Sequence, residues 1–348
     1  MRPAIGLLAF SLCIATTVHA EAPAKQTAGP PKPAQIAKDP LANATLLAPI
    51  QVESLTITPI LGKGSETPPP DVLVLDEAMA SNKVKIREAP NEDVNNLVLI
   101  NRSDRPLFVL AGEVILGGKQ DRIIGANTII PAKTTQTVPV FCVEHGRWDN
   151  KSKTFTSAKA LAHGRLRGKA SFEEQGAVWN EVKSKNAARK TTNRTDTYRQ
   201  VAQQQQNGSL RTWEKKVDDA LAKIPAGDRA KMVGYVVALN GKVATVDMFQ
   251  SPTLFKKLES KLLKSYVTEA VDIVAAKDVK PPTAADVKDF IDDAEQASEE
   301  SAYETRSSST MTKKGFKASK AKVMMKSADP AKPASAEAPA VYQTYQAK

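Results

Sequence analysis

The chain has 348 residues, with 49 Lys and Arg against 38 Asp and Glu for a net charge of +11, and 41% of its residues are hydrophobic. Such proportions belong to a folded globular protein of one large or two smaller domains, and no apolar run beyond the N-terminus approaches the ~18 residues of a membrane helix. Two cysteines, Cys13 and Cys142, exclude a disulfide framework and a Cys-rich zinc or iron–sulfur site.

Met1-Arg2-Pro3, the apolar stretch Ala4 to Ala15 and the small-residue end Val18-His19-Ala20 have the order of a signal peptide over residues 1–20. Cleavage after Ala20 predicts export to the periplasm or beyond, and leaves a mature chain without a transmembrane segment. It also removes Cys13, so Cys142 becomes the one thiol of a chain bound for an oxidising compartment. Residues 21–45, rich in Pro, Ala and Lys, are expected to form a disordered linker.

A domain is expected over 46–300. Its first part, 46–150, alternates apolar runs with turn residues: Val52 to Ile60, Val72 to Leu75, Leu97 to Ile100, Pro106 to Leu116, Ile123 to Ile130 and Thr137 to Val143. The spacing of about ten residues, with Gly, Pro, Asn and Asp at the joints, predicts an antiparallel sandwich or barrel. Residues 151–231 read as a basic helical insertion, with Leu166, Phe172, Val178 and Val182, then Leu210, Trp213, Val217 and Leu221, at helical spacing.

Asn240-Gly241 between Met232 to Leu239 and Val243 to Phe249 is a two-residue hairpin signal. Ser251-Pro252 then opens an amphipathic helix, and a second helix is expected over about 283–300. The basic tail, 301–348, holds weak strand-like runs near Ala321 to Met325 and Val341 to Tyr345, expected either to add edge strands or to stay disordered. The fold class is therefore α+β: a β-sandwich or barrel-like N-terminal part with a helical insertion, then a β-hairpin and amphipathic helices.

Charge is uneven. Residues 151–232 carry 18 bases and 8 acids, a net +10, whereas residues 21–150 sum to −2. Such a segment suits an envelope polyanion. Sparse aromatic residues there argue against a single-stranded nucleic-acid platform, and no specific nucleic-acid module is visible.

One polar cluster stands out. Glu113 interrupts an apolar run, sharing a strand face with Val109, Ala111 and Ile115, so it must be paired, protonated or at a ligand site. Gly117-Gly118-Lys119-Gln120-Asp121-Arg122 follows, where Lys119 and Arg122 are placed to neutralise Glu113 or hold an anion. Alternation puts Val138, Val140, Cys142 and Glu144 on one strand face, with His145, Gly146, Arg147 and Trp148 at the strand end. Alternation turns His145 away from Cys142, and the mature chain keeps only His145 and His163, with no metal-ligand spacing. No cofactor is implied.

The stretch LVLINRSDRPLFVLAGEVILGGKQDRIIGANTIIPAKTTQTVPVFCVEHGRW resembles the ARG and Rhodanese-Phosphatase-superfamily-associated domain family, as do Val178-Trp179 and GYVVALNGKVATVDMFQSPTLFKKLESKLLKSYVTEA from Gly234. The resemblance implies a mostly β fold with helical insertions and a shared polar site, carried here by Glu113, Gly118, Lys119, Gln120, Arg122, Cys142, Glu144, Gly146, Arg147 and Trp148. The family's activity is unknown.

Two functions fit the residues. In the first, an exported protein holds a small or polymeric anionic ligand in a polar pocket and acts on it. Glu113 or Glu144 then serves as general acid or base, Cys142 as nucleophile, and Lys119, Arg122 and Arg147 stabilise the anion, with Gly118, Gln120, His145 and Trp148 beside them. In the second, a non-catalytic envelope module uses the same charges as a buried ion-pair network that fixes strand register.

Overall fold

The computed structural model describes residues 40–63, 71–90, 93–147, 154–298, 300–326 and 340–348. The signal peptide, all but the end of the linker, and Trp148 fall outside these residues. The chain opens with β1 (Ala44–Leu46), β2 (Ile50–Val52) and β3 (Leu55–Gly62), then β4 (Leu73–Val74), α1 (Leu75–Ala80), β5 (Val84–Glu88) and β6 (Asn96–Asn101). The motif region supplies β7 (Leu107–Val109), β8 (Glu113–Gly117), β9 (Arg122–Ile124), β10 (Thr128–Ile130) and β11 (Thr135–Cys142). Next come β12 (Phe155–Leu161), α2 (Gly164–Phe172), α3 (Gln175–Ala188), α4 (Arg199–Gln204), α5 (Arg211–Leu221) and α6 (Ala226–Arg229). The last part holds β13 (Met232–Leu239), β14 (Lys242–Phe249), α7 (Pro252–Ala270), α8 (Ala284–Glu295), β15 (Glu300–Glu304), β16 (Ser308–Lys314), β17 (Ala318–Met325) and β18 (Ala340–Ala347).

The architecture is α+β, with antiparallel sheets apart from the parallel pairing of β4 with β7. A large sheet runs β1-β3-β13-β14-β18-β17-β16-β15, with β2 also on β3; a second runs β12-β8-β9-β11-β6-β5, and a short third is β10-β7-β4. The large sheet has helices on both faces. Leu55, Ile57, Tyr235 and Val237 meet Phe255, Leu258, Leu262 and Tyr266 of α7, while Ile60, Val236, Val246 and Tyr345 meet Val287, Phe290 and Ile291 of α8. Each large apolar side chain so buried contributes roughly 1.5–3 kcal/mol.

The six-stranded sheet also has two apolar faces. Ile115, Ile124, Val138, Val140 and Phe155 face an interior shared with Leu97, Leu99, Leu107 and Ile130, and Val114, Ile123 and Val143 face α2, α3 and α4 through Leu166, Val178, Val182 and Val201. The helical insertion thus covers the outside of the motif-bearing strands.

Local chemistry explains the helix and turn boundaries. Asn240 and Gly241 take φ of 47° and 78°, the left-handed pair of a tight hairpin. The Ser251 hydroxyl accepts from Leu254 N at 3.1 Å with Pro252 opening α7, and Thr283 and Asp286 form a capping box for α8.

Three expectations need correction. Pro106 to Leu116 is two strands in different sheets: the chain turns at Ala111-Gly112, where Gly112 has φ 92°, so Val109 and Glu113 do not belong to one strand. The basic insertion opens with a strand, β12, whose register breaks between Ser157 and Leu161 around Lys159, at φ 53°. The tail is no mere edge: β18 pairs with β14 on one side and β17 on the other, so Tyr342 and Tyr345 lie fully buried.

Candidate functional site

The sequence-derived cluster separates into three groups. At the start of β8, Glu113 is buried and accepts from Leu110 N at 3.1 Å and from Lys261 Nζ at 2.7 Å. Lys261, on α7, also reaches Asp76 at 2.6 Å, and Asp76 accepts from the Ser157 hydroxyl at 2.6 Å. Burial pushes the Glu113 carboxyl above its ordinary range against the pull of Lys261. For Lys261, burial acts downward, yet Glu113 and Asp76 hold the ammonium above the usual lysine range. The cation expected from Lys119 or Arg122 therefore comes from α7.

The second group lies where β9 begins and β11 ends. Arg147 donates to Glu144 Oε2 from Nε at 2.8 Å and lies 2.7 Å from it through Nη2, and its Nη1 donates to Gly118 O at 2.8 Å. Glu144 also accepts from Asp121 N at 3.1 Å and from the Thr195 hydroxyl at 3.0 Å. Burial alone would raise the Glu144 carboxyl, but Arg147 and these donors hold it below the usual carboxylate range. Asp121, fully buried, takes both forks of Arg199 at 2.9 and 2.6 Å and the Thr197 hydroxyl at 3.0 Å. Gln120 donates to Glu144 O at 2.7 Å, and Lys119 N donates to Glu88 at 2.9 Å. These bonds tie the two motif segments to each other and to the loop before α4.

The third group is Cys142 with Arg122, direct partners in the β9–β11 register, so both side chains share the sheet's interior face. Burial pushes the thiol above its ordinary value, although Arg122 opposes it. Gln175, the first residue of α3, brackets the Cys142 backbone, accepting from its N and donating to its O at 2.8 Å each. Arg122 is 0% exposed, and its Nη1 donates to Gln120 Oε1 at 3.2 Å, whereas Nε and Nη2 have no hydrogen-bond partner among the described residues. His145 lies exposed with its ring edge-on to Trp179, centroids 4.5 Å apart.

Two buried clusters escaped the sequence reading. Asp247 of β14 accepts both forks of Arg167 at 2.9 and 3.0 Å and the hydroxyls of Tyr266 and Tyr342 at 2.5 Å each. Burial alone would raise this carboxyl, but Arg167 and the two hydroxyls hold it below the usual range. The signal was present: Asp247 interrupts an apolar strand just as Glu113 does. Nearby, His163 Nδ1 meets the Tyr198 hydroxyl at 2.9 Å, and Nε2 meets Glu181 at 2.9 Å. Burial pushes His163 below its ordinary pKa, with Lys185 acting the same way.

Nine of the sixteen described bases of residues 151–232 sit in ion pairs. Seven of them, Arg165, Arg167, Lys185, Arg189, Arg199, Lys216 and Arg229, meet acids that lie outside residues 151–232. Two surface cavities lie away from the motif. One, of about 160 Å³, is lined by Val217, Arg229, Glu259 and Leu263, and the other by Gln51, Glu53, Lys216 and Lys223. Among the described residues, no group of His, Cys, Asp and Glu is arranged to hold a metal ion, and no helix is long and apolar enough to cross a membrane.

Fold and clusters together define a β-rich α+β protein whose charged motif residues are built into its interior. The chain belongs to the ARG and Rhodanese-Phosphatase-superfamily-associated Protein domain family, whose model matches residues 43–329. Comparison with curated proteins gives no match, and comparison with solved structures gives none either.

Proposed function

We propose that the protein is an exported, non-catalytic binding module of the cell envelope, in which the motif charges are a buried ion-pair scaffold and not a reaction centre. One observation carries this reading: each motif carboxylate is buried against a cation, Glu113 on Lys261, Glu144 on Arg147 and Asp121 on Arg199. A general acid or base must reach a substrate proton, and Glu113 and Glu144 have their oxygens engaged below the surface. A nucleophilic thiol needs a lowered pKa and access, and Cys142 has neither. Export rests on the order of residues 1–20.

Iodoacetamide labelling of the native protein tests the reading. No modification of Cys142 is expected until denaturant is added. Stoichiometric labelling of the native state at neutral pH would overturn the assignment.

A second reading, an anion held inside the motif, is favoured by the two Arg122 nitrogens that have no hydrogen-bond partner among the described residues. A buried guanidinium left short of acceptors costs several kcal/mol, so an acceptor in that space is stabilising. A rise in melting temperature with chloride, phosphate or formate that disappears in Arg122→Met would establish it.

A further inference from the structure

We infer that one end of the large sheet is a docking rim for an anionic lipid surface; the inference deepens the envelope reading by naming the partner, and rests on it. The rim follows from strand register. Thr245 pairs with Gln346 and Ala318 with Ala347, so the Asn240-Gly241 turn, the C-terminal Lys348 and the Gly315-Phe316-Lys317 turn all lie at one end of neighbouring strands. Lys348 N donates to Lys317 O at 3.2 Å, which places Lys348 beside the second turn. The loop after α7 joins them, because Asn240 Nδ2 donates to Val274 O at 3.0 Å and Asn240 Oδ1 accepts from Ala276 N at 3.0 Å. At about 4.8 Å between strands, the two turns stand roughly 10–15 Å apart.

The large hydrophobic side chains found exposed among the described residues are Val274 and Phe316, each at 88%, and both lie on this rim. Around them Lys242, Lys277, Lys280 and Lys317 are exposed, and none of the four has an ion pair among the described residues. Protruding apolar tips ringed by lysines match a membrane interface. The apolar groups enter the acyl boundary, while the ammoniums stay at the headgroup level on stems long enough to reach them. A soluble polyanion would use the lysines alone and leave Phe316 and Val274 without a role. A protein partner would cover an apolar patch, whereas these two side chains project from separate turns.

Bilayer vesicles rich in phosphatidylglycerol, with phosphatidylcholine vesicles as the neutral control, test the rim by co-sedimentation with the full chain. Residues 1–20 are common to every variant, so differences between variants read the rim. Binding to the anionic vesicles is expected at low salt. Phe316→Ser is expected to weaken it about tenfold. Each of Lys242→Gln, Lys277→Gln, Lys280→Gln and Lys317→Gln is expected to weaken it about fivefold. All five positions are exposed, so melting temperatures stay unchanged.

Equal binding of wild type and Phe316→Ser, equal binding to neutral vesicles, or no vesicle binding by the full chain would each overturn the inference. Export is read separately, from loss of residues 1–20 in the producing cell. A processed protein that ignores vesicles refutes the rim alone. An unprocessed protein that stays in the cytoplasm refutes the envelope reading, whatever its behaviour on vesicles.

Discussion

Arg167→Met isolates the most deeply buried charge pair. In the native protein, Asp247 receives two N–H bonds from Arg167 and one hydroxyl each from Tyr266 and Tyr342, and Arg167 Nη2 also donates to Tyr342 at 2.7 Å. Methionine keeps most of the apolar stem but leaves the carboxylate buried with two neutral donors. Removing one member of such a pair costs about 3–5 kcal/mol. The double variant Arg167→Met/Asp247→Asn restores neutrality and keeps an acceptor oxygen for one tyrosine, while its amide nitrogen donates to the other hydroxyl, so its cost is expected at about 1–3 kcal/mol. Urea unfolding at pH 7 measures both, and the double variant is expected to recover about 2 kcal/mol relative to Arg167→Met.

The pH limb has a fixed sign. The folded Asp247 carboxyl lies below its unfolded value, so its contribution is present above about pH 4 and is lost as pH falls through the folded pKa. In Arg167→Met the folded carboxyl rises above the unfolded value, so that variant loses stability as pH increases. The gap to wild type therefore widens from about pH 4 to pH 7. A single variant that loses less than about 1 kcal/mol, or a gap that narrows with rising pH, would refute the reasoning.

Three further outcomes test other parts of the structure. Lys261→Met leaves Glu113 without its cation and is expected to cost about 3 kcal/mol at neutral pH, with a smaller deficit near pH 5 where Glu113 accepts a proton more readily; chemical unfolding at two pH values checks it. Burial holds His163 below its ordinary pKa, so its stabilising term is present above about pH 6.5 and is lost as pH falls toward the folded value. His163→Asn should flatten the stability profile between pH 7 and pH 5, as read by melting temperature. Lys216→Ala removes an exposed pair with Glu53 and is expected to change unfolding free energy by about 0.5 kcal/mol or less, a contrast measurable in the same urea series.

Features written into a few neighbouring residues were legible in the sequence, and features made by distant ones were not. Asn240-Gly241, Ser251-Pro252 and the apolar face of α7 are local, and each forms as its chemistry dictates. The same holds for Val138, Val140 and Cys142 sharing the interior face of β11. By contrast, Pro106 to Leu116 reads as one apolar run, and only the positive φ at Gly112 divides it between two sheets.

The tail illustrates the same limit: nothing local in Val341 to Tyr345 says that β18 will lie between β14 and β17. At the candidate site, the need to compensate Glu113 was legible, but its partner Lys261 lies 148 residues away. Lys119 and Arg122 were nearer in sequence, yet the turn at Gly118 and the register of β9 direct them elsewhere.

The charge distribution has a structural consequence. Residues 151–232 hold a net +10, and in the folded chain seven of their bases meet Glu53, Asp121, Asp247, Glu259, Glu269 and Asp272, all outside that segment. Seven of these bases therefore act as counter-charges that fasten the helical insertion to α7 and Asp272 just after it, to Asp247 of β14, and to Glu53 and Asp121 beside β3 and β9. A base already engaged with a carboxylate offers little to a polyanion, because binding must first break or share the pair. The rim lysines differ, since Lys242, Lys277, Lys280 and Lys317 stand exposed beside Phe316 and Val274. Exposed bases without an ion pair among the described residues also remain in the segment, at Lys159, Lys183, Lys190, Arg194, Arg211, Lys223 and Lys231, so the charge left over after pairing is shared between the insertion and the rim. Retention on an anionic column follows the leftover charge: substituting the four rim lysines should lower the eluting salt more than substituting Arg165, Arg189, Lys216 and Arg229 together.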